Sequence, residues 1–283
     1  MTKDGDVPMS CAEAAGIVLG KGDTKSIDGA ASLDSHGGKT VKTVAMINGV
    51  ILLSIMIVNH GIKISLMEDM LRSVDGFFSL PLEEKMKYAS DDVRNPVRYG
   101  TSLNTSVKPL YWRDYLKHSG HPLQNSFHME VAKEYLEEVW KLALKILGAI
   151  SEGLGLDSDY IEKSLGEGNQ IVISNYYPPC PEPHPTLGIK EHSVHSGLTI
   201  EILSNGKYKS VEHRGVVDEK RTRISIAVGH RPELTAIVAP ASELLDEKCE
   251  LKFTPILYND YVRSIQSSDV RGKSPLEAIK RNI

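Results

Sequence analysis

His192, His213, Arg223 and Ser225 are the residues of this chain whose types and spacing could do chemistry. On a strand, residues two apart share a face, so His192 and Val194 point one way and Ser193 and His195 the other. A non-haem Fe(II) centre of the two-histidine, one-carboxylate kind commonly takes two ligands from one strand as His-x-Asp or His-x-Glu. His192 fits the first position, but Val194, which has no donor atom, stands where the carboxylate is needed. His213 lies beyond an Asn205-Gly206 turn and could supply the second imidazole. Arg223 and Ser225 share one face of a strand whose other face, Ile224, Ile226 and Val228, is apolar. An arginine directed into a core needs an anion. Its planar guanidinium binds a carboxylate bidentately, and Ser225 could add a further hydrogen bond.

Plainer readings of the same residues stand beside these. His192 on its own is an ordinary strand histidine, and Arg223 could simply pair with Asp218 or Glu219. His184, His195 and His230 read as structural or exposed, and Cys180 as a small packed residue.

The elements that must position these residues follow from periodicity. Residues 1–43 are rich in Gly, Ser, Asp, Thr and Lys without apolar period and are expected to be disordered. The apolar run 44–58 is interrupted by Asn48, Gly49 and Ser54 and is too short to span a bilayer, which takes about 20 apolar residues. Its second half, Ile51 to Val58, reads as a buried strand ending at Asn59-His60-Gly61. Residues 50–155 read as mostly helical. Leu66, Met67, Met70, Leu71, Val74, Phe77 and Phe78 keep helical spacing, and Pro81 fits the first turn of a further helix. Residues 89–128 read as turn-rich. Val131, Tyr135, Val139, Leu142, Ile146 and Ile150 form the strongest helical stripe, ended by Gly153 and Gly155. From about residue 169 the pattern turns strand-like, over Leu187–Ile200, Lys207–Arg214, Thr222–Val228 and Thr235–Val238. Helices first and strands later make an α+β protein with a sandwich or barrel at the C-terminal end.

Composition excludes several classes. A net charge of −4 with interspersed signs gives no nucleic-acid footprint. Cys11, Cys180 and Cys249 lie far apart without CxxC spacing, as in a reducing compartment, so a cytoplasmic protein is expected. No membrane partner is expected.

Several long motifs, in order, carry a family resemblance: VNHGI (58–62), FFSLPLEEKMKY (77–88), RYG (98–100), WRDYLKH (112–118), NYYPPCPEP (175–183), LGIKEHSVHSGLTI (187–200), EILSNGKYKSVEHR (201–214) and RTRISIAVGHRP (221–232). The chain resembles the plant 2-oxoglutarate/Fe(II)-dependent dioxygenases of flavonoid, gibberellin and related specialised metabolism. The resemblance implies a helical region over 44–165, a shortened jelly-roll domain over 166–262 and a C-terminal tail over 263–283. It assigns iron to His192 and His213, and 2-oxoglutarate to Asn175, Tyr177, Arg223 and Ser225. The substrate, a small plant metabolite, would lie near Tyr99 and Trp112. Tyr177 could alternatively be only a packed aromatic. Fe(II), 2-oxoglutarate and O₂ are the implied reactants, with ascorbate an accessory. A monomer is implied, with exposed sheet edges the route to association.

The chain departs from that pattern at Val194 and in the stretch between the two histidines, which is only twenty residues here and much longer in the family. The segment that would join Thr199-Ile200 to Glu201-Ile202-Leu203 is missing, and the Gln124–Met129 junction is shortened. The family's opening strand and first helix are not recognisable before residue 50. The chain resembles a product of exon loss or mis-annotated splicing, which makes an inactive or catalytically impaired relative the alternative to a working enzyme.

Overall fold

The computed structural model describes residues 17–20, 45–47, 50–53, 57, 59–90, 92, 95–101, 111–121, 130–184, 186–192, 195–211, 213–246, 250–267 and 274–281. In chain order the strands are β1 (Ile17–Gly20), β2 (Ala45–Ile47), β3 (Val50–Leu53), β4 (Val97–Thr101), β5 (Asp114–His121), β6 (Asn169–Tyr177), β7 (Leu187–His192), β8 (Tyr208–Ser210), β9 (His213–Val216), β10 (Arg223–Arg231), β11 (Ile237–Val238) and β12 (Ile256–Leu257). The helices are α1 (Ile64–Phe78), α2 (Leu82–Met86), α3 (Glu130–Gly153), α4 (Tyr160–Leu165), α5 (His195–Leu203), α6 (Tyr258–Ser267) and α7 (Ser274–Ile279).

A five-stranded sheet in the order β1-β10-β6-β5-β4 is the frame. Its two faces differ in kind. One face packs on α1 and α3 and holds Tyr99, Leu116, Val172, Ile226 and Val228, all buried in the main core. The opposite face is formed by the alternate residues, including Arg98, Tyr115, Lys117, Ile173, Ala227 and Arg231, and most of these are only half-buried. The sheet is thus one closed layer with a partly open second side. A two-stranded sheet, β7 with β9, covers the Tyr177 end of that side, as Gly188 abuts the Tyr177 ring.

The helices form where periodicity predicted. α1 buries Leu66, Met70, Val74, Phe77 and Phe78, one stripe at helical spacing. α3 buries Tyr135, Leu136, Val139, Leu142, Ile146 and Ile150 and ends at Gly155, which adopts φ +78°. Leu276 of α7 is completely buried, so the C-terminal segment docks into the main core.

Four expectations are corrected. The turn-rich stretch 89–128, within a region expected to be mostly helical, contains β4 and β5. Their alternation was hidden because the outward positions are charged or polar while the inward ones include Gly120 and His118, so no apolar period shows. The strand expected over 187–200 stops at His192, and residues 195–203 are helical. Leu198 to Leu203 are buried on every side, and a helix without a polar face has no 3.6-residue signature. Asn205-Gly206, both at positive φ, ends that helix rather than joining two strands. In the segment expected to be disordered, residues 17–20 pair with β10, and the rest of 1–43 lies outside the described residues.

Two consequences are measurable. Ile226→Ala should destabilise the chain by about 2–5 kcal/mol in urea titrations, because its side chain is fully buried in the main core. Burial, with His121 alongside, lowers the His230 pKa from 6.5 to about 4. Between those values the unfolded chain binds the proton and the folded chain does not, so this residue's contribution to stability falls as pH drops from 6.5 towards 4. His230→Gln should flatten that part of the stability–pH curve.

Candidate active site

Strand pairing brings the four candidate co-substrate residues together. β10 and β6 are antiparallel, with Arg223 opposite Tyr177 and Ser225 opposite Asn175. Opposed residues project to the same face, so all four line one patch. The Arg223 guanidinium lies over the Tyr177 ring at 3.9 Å from its centroid and donates to the Val216 carbonyl at 3.2 Å. The Asn175 side-chain amide donates to Ser225 Oγ at 3.4 Å. Tyr177, Asn175 and Ser225 are buried, whereas Arg223 is half-buried. The acid considered as an alternative partner is engaged elsewhere, since Asp218 pairs with Arg221 at 3.3 Å and accepts from the backbone N–H groups of Lys220 and Arg221. Among the described residues no carboxylate pairs with Arg223.

Two further residues belong to this patch and were not foreseen. Arg113, just before β5, donates to Asn175 Oδ1 at 2.5 Å and hydrogen-bonds the Tyr177 hydroxyl. Burial lowers its pKa from the ordinary arginine value, while the neighbouring tyrosines oppose that shift. It therefore fixes which end of the Asn175 amide faces Ser225. Gly188 is the second. A Cβ there would come within 2.6 Å of the Tyr177 ring, so only glycine lets β7 lie against that ring. The signal available in sequence was parity: Arg113, Tyr115 and Lys117 alternate along one face.

The histidine pair also forms. His192 and His213 are register partners in β7 and β9, with ring centroids 4.4 Å apart and planes at 49°. Two imidazoles in adjacent positions on one octahedral metal, at metal–nitrogen distances of about 2.1 Å, put their ring centres roughly 4.5 Å apart. His213 Nδ1 lies 3.1 Å from the Val211 carbonyl, so Nδ1 carries the proton and Nε2 is left as the donor to a metal. Two of three protein ligands therefore fit. The third does not: Val194 lies outside the described residues, and its side chain has no donor in any conformation. Glu191 pairs with Arg214 at 3.4 Å, and no cluster of three metal-ligating side chains occurs among the described residues. His213 is also exposed, so the pair lacks a dry surround.

Tyr99, expected near the substrate, faces the core instead, and the polar atoms of Trp112 are engaged by backbone carbonyls. Tyr99 points to the opposite face from Arg98 and Gly100. It is buried against Phe77 and donates to Asp114 Oδ2 at 2.8 Å. Trp112 acts as a strut: its backbone N–H donates to the Leu187 carbonyl at 2.9 Å and its indole N–H to the Pro178 carbonyl at 3.2 Å. A cavity of about 320 Å³ lies elsewhere, lined by His121, Trp140, His230 and Arg231. Arg231 and Arg223 stand at opposite ends of β10, eight residues or about 26 Å apart, so that cavity is separate from the clamp.

With this geometry in hand, comparison with known proteins is decisive for the family. Residues 54–140 match the non-haem dioxygenase in morphine synthesis N-terminal family, and residues 168–203 and 194–232 match the 2OG-Fe(II) oxygenase superfamily in two pieces. The chain is 32% identical over 270 residues to flavanone 3-dioxygenase 3 of Oryza sativa subsp. japonica, covering 79% of this chain and 82% of that protein. It is 32% identical over 258 residues to leucoanthocyanidin dioxygenase of Malus domestica, covering 73% and 72%. The crystal structure of JOX2 in complex with 2OG, Fe and JA matches with a TM-score of 0.73 and 28% identity, over 80% of this chain and 81% of that one. The dioxygenase for auxin oxidation from rice, at 17% identity and a TM-score of 0.63, shares the fold. The chain belongs to the 2-oxoglutarate- and Fe(II)-dependent oxygenases, whose cofactors are Fe(II) and 2-oxoglutarate. No helix among the described residues is long and apolar enough to cross a membrane.

Gly188→Ala should weaken 2-oxoglutarate binding about tenfold or more in calorimetric titrations, because the added methyl displaces the Tyr177 ring on which Arg223 rests.

Proposed function

We propose that this chain acts on a small plant metabolite of the flavonoid type, with 2-oxoglutarate as co-substrate in the patch formed by Arg223, Ser225, Asn175 and Tyr177. The observation that carries the reading is the β6–β10 register, which brings an arginine, a hydroxyl and an amide onto one face beside a buried tyrosine. Arg223 and Ser225 bind the distal carboxylate, and Arg113 orients Asn175. His192 and His213 would hold iron through their imidazoles. When bound, Fe(II) and 2-oxoglutarate supply oxidative decarboxylation coupled to hydroxylation or desaturation of a C–H bond. The protein's share is ligands, orientation and exclusion of water. A flavonoid-type substrate is supported by the names of the relatives. A cytoplasmic location is supported by three cysteines without disulfide spacing, of which Cys180 is buried and free.

One observation favours a low-turnover form of this activity. Val194 leaves the metal with two protein ligands, and His213 is exposed. Fewer ligands hold the metal less tightly and leave its position less defined. Succinate formation from 2-oxoglutarate with Fe(II) and a flavanone or leucoanthocyanidin panel tests both parts. The expected result is slow, iron-dependent succinate release by the natural chain and a rise of about tenfold or more in Val194→Asp. Release that ignores both iron and Arg223→Gln would refute the assignment. Fast release by the unmodified chain would show that a third ligand comes from elsewhere.

A further inference from the structure

The open face of the sheet carries more positive charge than one co-substrate needs. From the clamp, arginines and tyrosines alternate across three neighbouring strands. Arg223 lies over Tyr177, Tyr177 hydrogen-bonds Arg113, Arg113 lies 5.2 Å from the Tyr115 ring centroid, and Arg98 lies 5.4 Å from the same ring. Gly100 makes the last step feasible, because a Cβ there would sit 2.5 Å from the Tyr115 ring. Arg98 is the end of the series. Its Nε is buried without a hydrogen-bond partner, and no carboxylate pairs with it among the described residues. Its register partner is Lys117, so two cationic side chains stand opposite each other on β4 and β5. Burial, with Arg98 and Arg231 adding to it, lowers the Lys117 pKa from 10.5 to about 8, against which Asp92 acts in the other direction. The surroundings of Arg98 are therefore electropositive.

We propose that Arg98 binds the carboxylate of an acidic organic substrate, beside but separate from the 2-oxoglutarate clamp. The proposal rests on the co-substrate reading above and goes beyond its flavonoid type to carboxylic acids, since flavanones and leucoanthocyanidins carry no carboxylate for Arg98 to bind. Three strand spacings separate β4 from β10, about 14 Å, and a five-carbon diacid seated on Arg223 cannot reach that far. The anion at Arg98 is thus a second molecule. Arg98 offers it a buried, unused N–H and a guanidinium already placed 5.4 Å from the Tyr115 ring centroid, and its planar fork loses little side-chain entropy per hydrogen bond when it binds. The Tyr115 ring and Ile173, its neighbours on the open face, offer apolar contact to the body of such an acid.

Calorimetric titration of the full chain tests this, first with 2-oxoglutarate and then, with 2-oxoglutarate saturating and O₂ excluded, with benzoate, phenylacetate and cinnamate against their methyl esters. The expected result is that at least one acid binds about tenfold or more tighter than its ester. Arg98→Gln removes that preference, Arg98→Lys keeps part of it, and 2-oxoglutarate still binds both variants, which reports a folded clamp. Acids that bind no better than esters, or a preference that survives Arg98→Gln, would overturn the proposal while 2-oxoglutarate binding stays intact. Failure of 2-oxoglutarate to bind the natural chain would overturn the co-substrate reading itself, and this proposal with it.

Discussion

The antiparallel pairing of β6 with β10 is the constraint on which the rest of the site depends. It is a nine-residue register without interruption, from Arg223 opposite Tyr177 to Arg231 opposite Asn169. One face of the pair is anchored by Ile226, Val228 and Val172, each completely buried. That anchoring decides the other face, because a slip of one residue would put Arg223 and Ser225 into the core and the isoleucines into solvent. The cost of such a slip exceeds anything a ligand could repay. The clamp is thus preorganised by hydrophobic burial on its reverse side, and the polar residues only refine it.

The same logic explains why the histidine pair is less secure. β7 and β9 form a sheet of two strands whose register shifts twice between Leu187 and His192. A two-stranded sheet is marginal without a packed face. Here it leans on Tyr177 through Gly188, while Val216 at that end and His213 at the other are both exposed. The twenty residues between the histidines supply one helix and one short strand, too few to build a second full layer. The molecule keeps the half of the roll that carries Arg223 and Ser225 and thins the half that would enclose a metal at His192 and His213. Charge follows the same division: Arg98, Arg113, Lys117, Arg223 and Arg231 all lie on the thinly covered face.

Much of this was legible in the sequence. The α1 and α3 stripes, the Arg223-x-Ser225 parity and the apolar Ile224-Ile226-Val228 face follow from periodicity alone. The match of Asn175 and Tyr177 to a co-substrate role came from motif resemblance. What stayed hidden has physical reasons. β4 and β5 lack apolar alternation, since their core-facing positions include Thr101, Asp114, His118 and Gly120. Leu198 to Leu203 of α5 are all buried, so the segment reads as a strand. Tyr99 was placed with its neighbours Arg98 and Gly100, although strand parity turns it to the other face. Arg113 was hidden because its partners, Asn175 and Tyr177, lie more than sixty residues away.

The carboxylate clamp and the two histidines are proposed to form one site. An anaerobic Fe(II) titration with 2-oxoglutarate, followed by the visible charge-transfer absorption of the chelate, tests it most directly. A shared site gives a band that requires both Fe(II) and 2-oxoglutarate, needs high Fe(II) to saturate, and disappears in His213→Ala and in Arg223→Gln. Absence of the band at any Fe(II) concentration, or a band that persists when both His192 and His213 are replaced by alanine, would contradict it.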